Sequence, residues 1–172
     1  MLQPLPLSFV LAQTELSWRE VALAVDRGWL SMAAAPELAR MRRLEEDPVR
    51  SPIWELADLR PGEPSRELLG KLAAREPPMD EKVVDRRWLT LHLLYLAEHA
   101  PSDPLPAIEE IWCDFEHPVE LNRFIGYMPA QNPKLVRKRT VEENLQAMRD
   151  QWYAWAKESR AAWENRLRED AA

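Results

Sequence analysis

The scarcity of β-branched side chains is the feature that most constrains how this chain can fold. Valine, isoleucine and threonine occur nine, four and three times in 172 residues, whereas leucine and alanine dominate. Because strands favour β-branched residues and helices favour leucine and alanine, this composition predicts helix. Fifteen prolines against four glycines predict short helices separated by stiff connectors. We therefore expect an all-α fold, with one compact domain over residues 1–172 and about seven or eight helices.

Capping signals predict where several helices begin and end. Residues 17–20 have the spacing of a capping box, a serine followed three residues later by a glutamate, and residues 140–143 repeat it with threonine. Gly28 is a natural stop for the first of these helices. Serines at a cap position, one of them followed by proline, predict further starts at Ser31, Ser51-Pro52 and Ser65.

Two patterns predict the longest helices. Residues 80–99 are apolar on two faces, which is typical of a central helix surrounded by others. Residues from Val141 to about Glu169 repeat apolar positions at spacings of three and four in their first half, so we expect that half to pack inward. A helical pair is predicted over 104–113 and 118–128. The side chains expected to be largely buried are Trp88, Leu91, Leu94, Tyr95, Trp112, Phe115, Phe124, Trp152 and Trp155.

Charge and cysteine content narrow the function classes. The formal net charge is −6, which disfavours general nucleic-acid binding because phosphate contacts need clustered Lys and Arg. The one cysteine, Cys113, excludes an internal disulfide and is compatible with a reducing compartment. Residues 1–13 are apolar but have no basic segment, so they predict a docked N-terminus rather than a signal peptide. No apolar run approaches a membrane span. We expect a cytoplasmic protein.

Candidate catalytic and metal-binding residues each have a simpler structural interpretation. His92 and His99 are seven residues apart on one helix face, but zinc sites usually show tighter spacing and further ligands. Asp114, Glu116 and His117 could bind a metal or act in hydrolysis, although acids before Pro118 also suit a helix start. Cys113, beside Trp112 and Ile111, is expected to be a buried, inert thiol. We predict no catalytic set, no cofactor and no metal site.

The charge pattern of the second half suggests a protein partner. Between residues 101 and 133 there are six acids and one base, Arg123. Four cations follow closely, Lys134, Arg137, Lys138 and Arg139. The acids could pair with these cations, could face a basic partner, or could be solvated without a role. The residues that we expect to bind a partner are Asp103, Glu109, Glu110, Asp114, Glu116 and Glu120.

Several short motifs are similar to one bacterial family. Five stretches resemble the family known as domain of unknown function 2247: Leu16-Ser17-Trp18, Gly28-Trp29-Leu30-Ser31, Trp88-Leu89 running to Leu94-Tyr95, Asp114-Phe115 with Pro118, and Phe124 with Tyr127-Met128-Pro129. Glu143-Asn144-Leu145 and Trp152 extend the resemblance into the last helix. Trp112, Cys113 and His117 depart from the expected pattern, and residues 45–78 match poorly.

The resemblance implies an immunity protein that neutralises a cognate polymorphic or contact-delivered toxin by occlusion. An acidic inhibitor surface suits a basic toxin, because nuclease toxins are basic and carboxylates can mimic nucleic-acid charge. Two alternatives stay open: a small helical hydrolase that uses Asp114, Glu116 and His117, and an adaptor that binds another protein through exposed tryptophans.

Overall fold

The computed structural model describes residues 2–43, 51–60, 62–99, 102–126 and 140–170. Within these ranges the chain is helical and contains no strand, which confirms the all-α prediction. The elements are α1 (Leu7–Gln13), α2 (Trp18–Asp26), α3 (Ala34–Arg42), α4 (Pro52–Asp58), α5 (Arg66–Ala73), α6 (Glu81–His99), α7 (Leu105–Asp114), a 3₁₀ helix (Val119–Phe124) and α8 (Val141–Asp170).

The chain divides into two compact units. One, here the N-terminal unit, comprises Gln3–Val84. The other, here the C-terminal unit, comprises Met1–Leu2 together with Asp85–Ala172. The expectation of a single domain over residues 1–172 stays a prediction.

The N-terminal unit is built from α1 to α5. Within it α3 packs on α4, while α5 contacts both α2 and α4. These helices are short and amphipathic, so each buries one apolar face against its neighbours. The largest side chains in this core come from four helices and one loop: Trp18, Trp29, Leu38, Ile53, Leu56 and Leu72.

The start of α2 is the most completely capped helix end in the N-terminal unit. Ser17 and Glu20 form the predicted capping box, each side chain accepting the other's backbone N–H. The carboxylate of Glu76 accepts the backbone N–H groups of Trp18 and Arg19, both at 2.8 Å. Together these contacts satisfy the free N–H groups that every helix start leaves unpaired.

Some predicted boundaries needed correction. The helix expected from Ser31 begins at Ala34, because residues 31–33 form a turn in which the Ser31 carbonyl accepts the Ala34 N–H. Ser51 caps α4 as predicted, but Ser65 makes no side-chain cap at α5 and is itself buried. The second half of the helical pair predicted over 104–113 and 118–128 is a short 3₁₀ helix, and residues 127 and 128 lie outside the described residues.

The core of the C-terminal unit is formed by α6, α7, the 3₁₀ helix and α8. Its aromatic centre has the Phe124 ring edge-on to Trp152 at 5.6 Å between centroids, and Trp155 beside both. Among the residues predicted to be largely buried, Tyr95, Phe115 and Trp155 are only half-buried. The rest are buried as expected: Trp88, Leu91, Leu94, Trp112, Phe124 and Trp152.

An ion pair connects the start of α7 to α8. Arg149 donates to both carboxylate oxygens of Asp103, at 3.2 and 3.3 Å, and the Arg149 side chain is 19% exposed. These hydrogen bonds lower the pKa of Asp103. Asp103 also accepts the Leu105 N–H, so it caps α7.

None of the helices in the described part of the chain combines the length and the apolar character that a membrane span requires.

Candidate partner-binding site

The chain reverses direction after α7 through a Schellman motif. Phe115 is the C-cap residue of α7, and the backbone N–H groups of the next two residues donate to carbonyl groups in the last turn of the helix. The Glu116 N–H donates to the Cys113 carbonyl at 3.4 Å, and the His117 N–H donates to the Trp112 carbonyl at 2.8 Å. This pattern of two returning bonds normally has glycine at the position of Glu116. Residues 114–118 are called the α7 turn below.

The α7 turn contains two consecutive residues with left-handed backbone conformation. Glu116 has φ of 58° and His117 has φ of 65°, and these are the non-glycine residues with positive φ among those described. For an L-residue with a Cβ this conformation costs roughly 1–2 kcal/mol. Surrounding contacts must therefore hold both residues in place.

Aromatic contacts on one side hold the α7 turn. The His117 ring lies against the Trp112 indole, with 4.1 Å between centroids. The Trp112 indole N–H donates to the Asn122 side-chain oxygen at 2.9 Å, which fixes the indole from the 3₁₀ helix. A contact between the side chains at the positions of His117 and Trp112 commonly accompanies a Schellman motif.

On the other side the α7 turn rests on α6. The Phe115 ring meets the His92 ring edge-on, at 5.7 Å between centroids and an interplanar angle of 64°. His92 is 4% exposed. Burial lowers the pKa of His92 to about 4, against the attraction of the Asp114 carboxylate, which alone would raise it. The imidazole is thus neutral near pH 7.

The six predicted partner-binding acids are not equivalent. Asp103 precedes α7, and its half-buried carboxylate pairs with Arg149. Asp114 is exposed, but its carboxylate accepts the Leu2 backbone N–H at 2.6 Å. The remaining four are exposed and form no ion pair with another described residue: Glu109, Glu110, Glu116 and Glu120.

The position of Asp103 separates it from the acids of the α7 turn. It lies before the N-terminus of α7, whereas the α7 turn follows the C-terminus, and ten helical residues span about 15 Å. The predicted neutralising cations at 134, 137, 138 and 139 lie outside the described residues. Pairing of the acids with these cations stays a prediction.

Two features of this surface were missed or misjudged from the sequence. Cys113 is exposed, so the expectation of a buried thiol was wrong. It lies on the solvent side of α7, while its neighbours Ile111 and Trp112 face the core. Val119 is 77% exposed immediately after Pro118, and no sequence signal had marked it as a contact residue.

The candidate metal and catalytic residues do not converge. His92 is buried, whereas His99 is exposed at the end of α6, with its ring stacked on Tyr95 at 4.2 Å. The described residues contain no group of three His, Cys, Asp or Glu side chains that could hold a metal ion. Asp114, Glu116 and His117 lie on one turn, but the Asp114 carboxylate is bound to Leu2 and the His117 ring to Trp112.

A small cavity lies elsewhere in the C-terminal unit, between α6 and α8. Its volume is about 150 Å³, and Leu93, Leu94, Trp155 and Trp163 form most of its apolar wall. Thr90 and Ser159 contribute hydroxyl groups, and none of its lining residues is ionisable. The cavity therefore offers space for an apolar group but no acid–base pair.

The sequence matches one family model. That model, described as an uncharacterized protein conserved in bacteria (DUF2247), covers residues 7–160. No curated protein and no solved structure matches the chain.

Proposed function

We propose that this chain, which belongs to the bacterial DUF2247 family, is an immunity protein. It would bind a cognate polymorphic or contact-delivered toxin and neutralise it by covering the toxin's active site. Its binding surface would comprise the α7 turn and the exposed carboxylates that flank it. The toxin would be basic, since carboxylates attract a positively charged surface and speed its encounter.

The conformation of Glu116 is the observation that carries this proposal. Glycine would occupy its left-handed position at lower cost, yet the chain has a glutamate there, with its side chain exposed. Strained residues concentrate at functional sites, where a fixed direction matters more than stability. A carboxylate held by a Schellman motif is presented to a partner with little loss of backbone entropy on binding.

Exposed apolar surface beside the acids supports a protein partner. Val119 is 77% exposed between Glu116 and Glu120 in sequence, and within the α7 turn the His117 ring is exposed and lies against the buried Trp112 indole. Exposed charges chiefly accelerate association, while buried apolar contacts usually supply most of the affinity. We therefore assign steering to the carboxylates and affinity to Val119 and the exposed His117 ring.

Charge reversal tests the proposal. The triple variant Glu109→Lys, Glu110→Lys, Glu116→Lys is compared with a control triple variant that changes net charge equally: Glu15→Lys, Glu37→Lys, Glu158→Lys. The control residues are exposed and form no ion pair with another described residue. The partner is identified by copurification with the products of neighbouring genes, and association rates are measured at low and high salt.

The first triple variant should associate much more slowly at low salt, and the difference should shrink as salt screens charges over about 10 Å at 0.1 M. The control should lose little. Equal rates for both variants would place the binding surface elsewhere.

Turnover and cell-protection assays distinguish the two alternatives. A hydrolase that uses Asp114, Glu116 and His117 would lose turnover in a Glu116→Gln variant that still binds its partners normally. An adaptor would bind a protein that has no toxic activity. Protection of cells against the copurified toxin is expected under our proposal and under neither alternative.

A further inference from the structure

The His92 side chain is a buried titratable group placed directly beneath the candidate binding surface. It lies in the middle of α6 with 4% exposure, and among the described residues its Nε2 atom is buried without a hydrogen-bond partner. A neutral imidazole tolerates this position, but an imidazolium would need solvent or an anion.

The groups around His92 determine what protonation would do. Phe115 covers the imidazole from the α7 turn. Asp114 of α7 is the charged residue that acts on the ring, and its carboxylate is exposed. One helical turn away on α6, Trp88, Leu89 and Leu96 are apolar, and the Tyr95 ring stacks on His99.

Displacement of the Phe115 ring, which contacts the imidazole, would open a charged His92 to water, and the Asp114 carboxylate, which accepts the Leu2 N–H, attracts that charge. Phe115 immediately precedes the two left-handed residues, so its displacement would release a backbone conformation that is already costly. Proton uptake and opening of the α7 turn are therefore coupled equilibria.

We propose that His92 makes the α7 turn proton-sensitive: protonation of its imidazole displaces Phe115, opens the Schellman motif and frees Glu116 and His117 from their fixed positions. Resting on the proposed function, this implies that the chain releases its toxin in acid while most of the fold persists. The opening itself can be measured without any partner.

The size of the effect follows from proton linkage. In the closed turn the pKa of His92 is about 4, whereas an imidazole released from burial has the ordinary pKa of 6.5. Lowering the pH from 7 to 5 should then raise the equilibrium constant for opening by about 20-fold.

Amide hydrogen exchange of the full chain measures this constant residue by residue. The protection factors of the Glu116 and His117 N–H groups should fall by about 20-fold between pH 7 and pH 5. The Trp29 N–H is a matched control, because it donates to the Ala24 carbonyl in the corresponding motif after α2. Its protection should not change.

A His92→Leu variant removes the titrating group while retaining Asp114, Glu116 and His117, and His92→Gln serves if the leucine variant does not fold. Either variant should keep the protection of the α7 turn constant across this pH range. Equal falls in the wild type and the variant, or an equal fall at Trp29, would overturn the proposal.

Toxin association, measured with the same proteins, tests the proton-sensitive turn and the proposed toxin-binding surface separately. Weaker association at pH 5 in the wild type, but not in His92→Leu, supports both the sensitive turn and its place in the binding surface. A turn that opens without any change in association supports the proton-sensitive turn and refutes the α7 turn as the toxin-binding surface.

Discussion

Two helices of this protein end in the same hydrogen-bond pattern but with different residues. After α2, Gly28 has φ of 77° and the Trp29 N–H returns to the Ala24 carbonyl at 2.8 Å. After α7, Glu116 occupies the glycine position with φ of 58°, and the His117 N–H makes the equivalent bond at 2.8 Å. The α2 motif follows the usual preference, whereas the α7 motif opposes it.

The two motifs also differ in which of their residues is buried. After α2 the capping residue Arg27 is exposed, and the second residue beyond it, Trp29, is 3% exposed. After α7 the capping residue Phe115 is half-buried on His92, and the second residue beyond it, His117, is exposed. One motif is thus optimised for stability, while the other turns polar groups toward solvent at a cost in stability.

Truncation at the equivalent positions should show the largest contrast. Trp29→Ala should lower the free energy of unfolding by about 3–5 kcal/mol, as expected for a buried aromatic. His117→Ala should lower it by about 1 kcal/mol or less, because only the ring contact with Trp112 is lost. Chemical denaturation of both variants checks this. Similar losses of unfolding free energy would mean that the α7 turn stabilises the fold as much as the turn after α2 does.

Acid should destabilise the chain through His92. The folded-state pKa of about 4 lies below the unfolded value of 6.5, so the unfolded chain takes up the proton first. Stability is fully present above pH 6.5 and is lost as the pH falls towards 4, by at most about 3 kcal/mol.

Opening of the α7 turn would make this loss smaller, because the charged ring then escapes burial. Denaturation of the wild type and His92→Leu between pH 7 and pH 4 checks the prediction, since carboxylate titration is common to both proteins. Identical pH dependence in the two proteins would rule out His92 as the cause.

Phe115→Ala should cost about 2 kcal/mol, less than for a fully buried aromatic, because the ring is half-buried. The same variant exposes His92, so its imidazole should titrate closer to 6.5 by NMR. A large stability loss with an unchanged His92 titration would show that Phe115 does not shield the imidazole.

Gly28→Ala should destabilise the chain by about 1 kcal/mol. Apart from the two neighbouring residues, no atom lies within 4 Å of the position where a Cβ would be added, so the cost comes from the left-handed backbone rather than from a clash. Thermal unfolding measures it. An unchanged melting temperature would mean that the motif relaxes without strain.

Glu116→Gly is the opposite substitution and should stabilise the chain by about 1 kcal/mol, through relief of the same backbone strain. It should also slow toxin association, since a steering carboxylate is lost. Gly28→Ala is the matched control, with no expected effect on association. Destabilisation by Glu116→Gly would show that the carboxylate has a structural role.

Much of the fold could be predicted from local sequence signals. The capping box at Ser17 and Glu20, the proline start of α4 and the glycine stop after α2 all act across a few residues. Such contacts form whatever the rest of the chain does, so the sequence specifies them directly. The spacing of apolar residues likewise identified α6 and most of the buried aromatics.

The candidate site could be predicted only in part. The sequence indicated that acids cluster between residues 103 and 120, and five of the six are exposed without an ion pair among the described residues. It could not indicate that Arg149, 46 residues away, pairs with Asp103, or that Leu2 donates to Asp114 from 112 residues away. No local pattern encodes which distant group reaches a given carboxylate.

The sequence by itself determined the helical class, most helix ends and the identity of the core side chains, because these depend on propensity, capping and periodicity. Only the tertiary structure decided the left-handed conformation of Glu116, the exposure of Cys113 and the burial of His92 beneath Phe115. Each of these depends on how α6, α7 and the 3₁₀ helix pack together. Packing can hold a residue in a conformation or an environment that its own preferences disfavour.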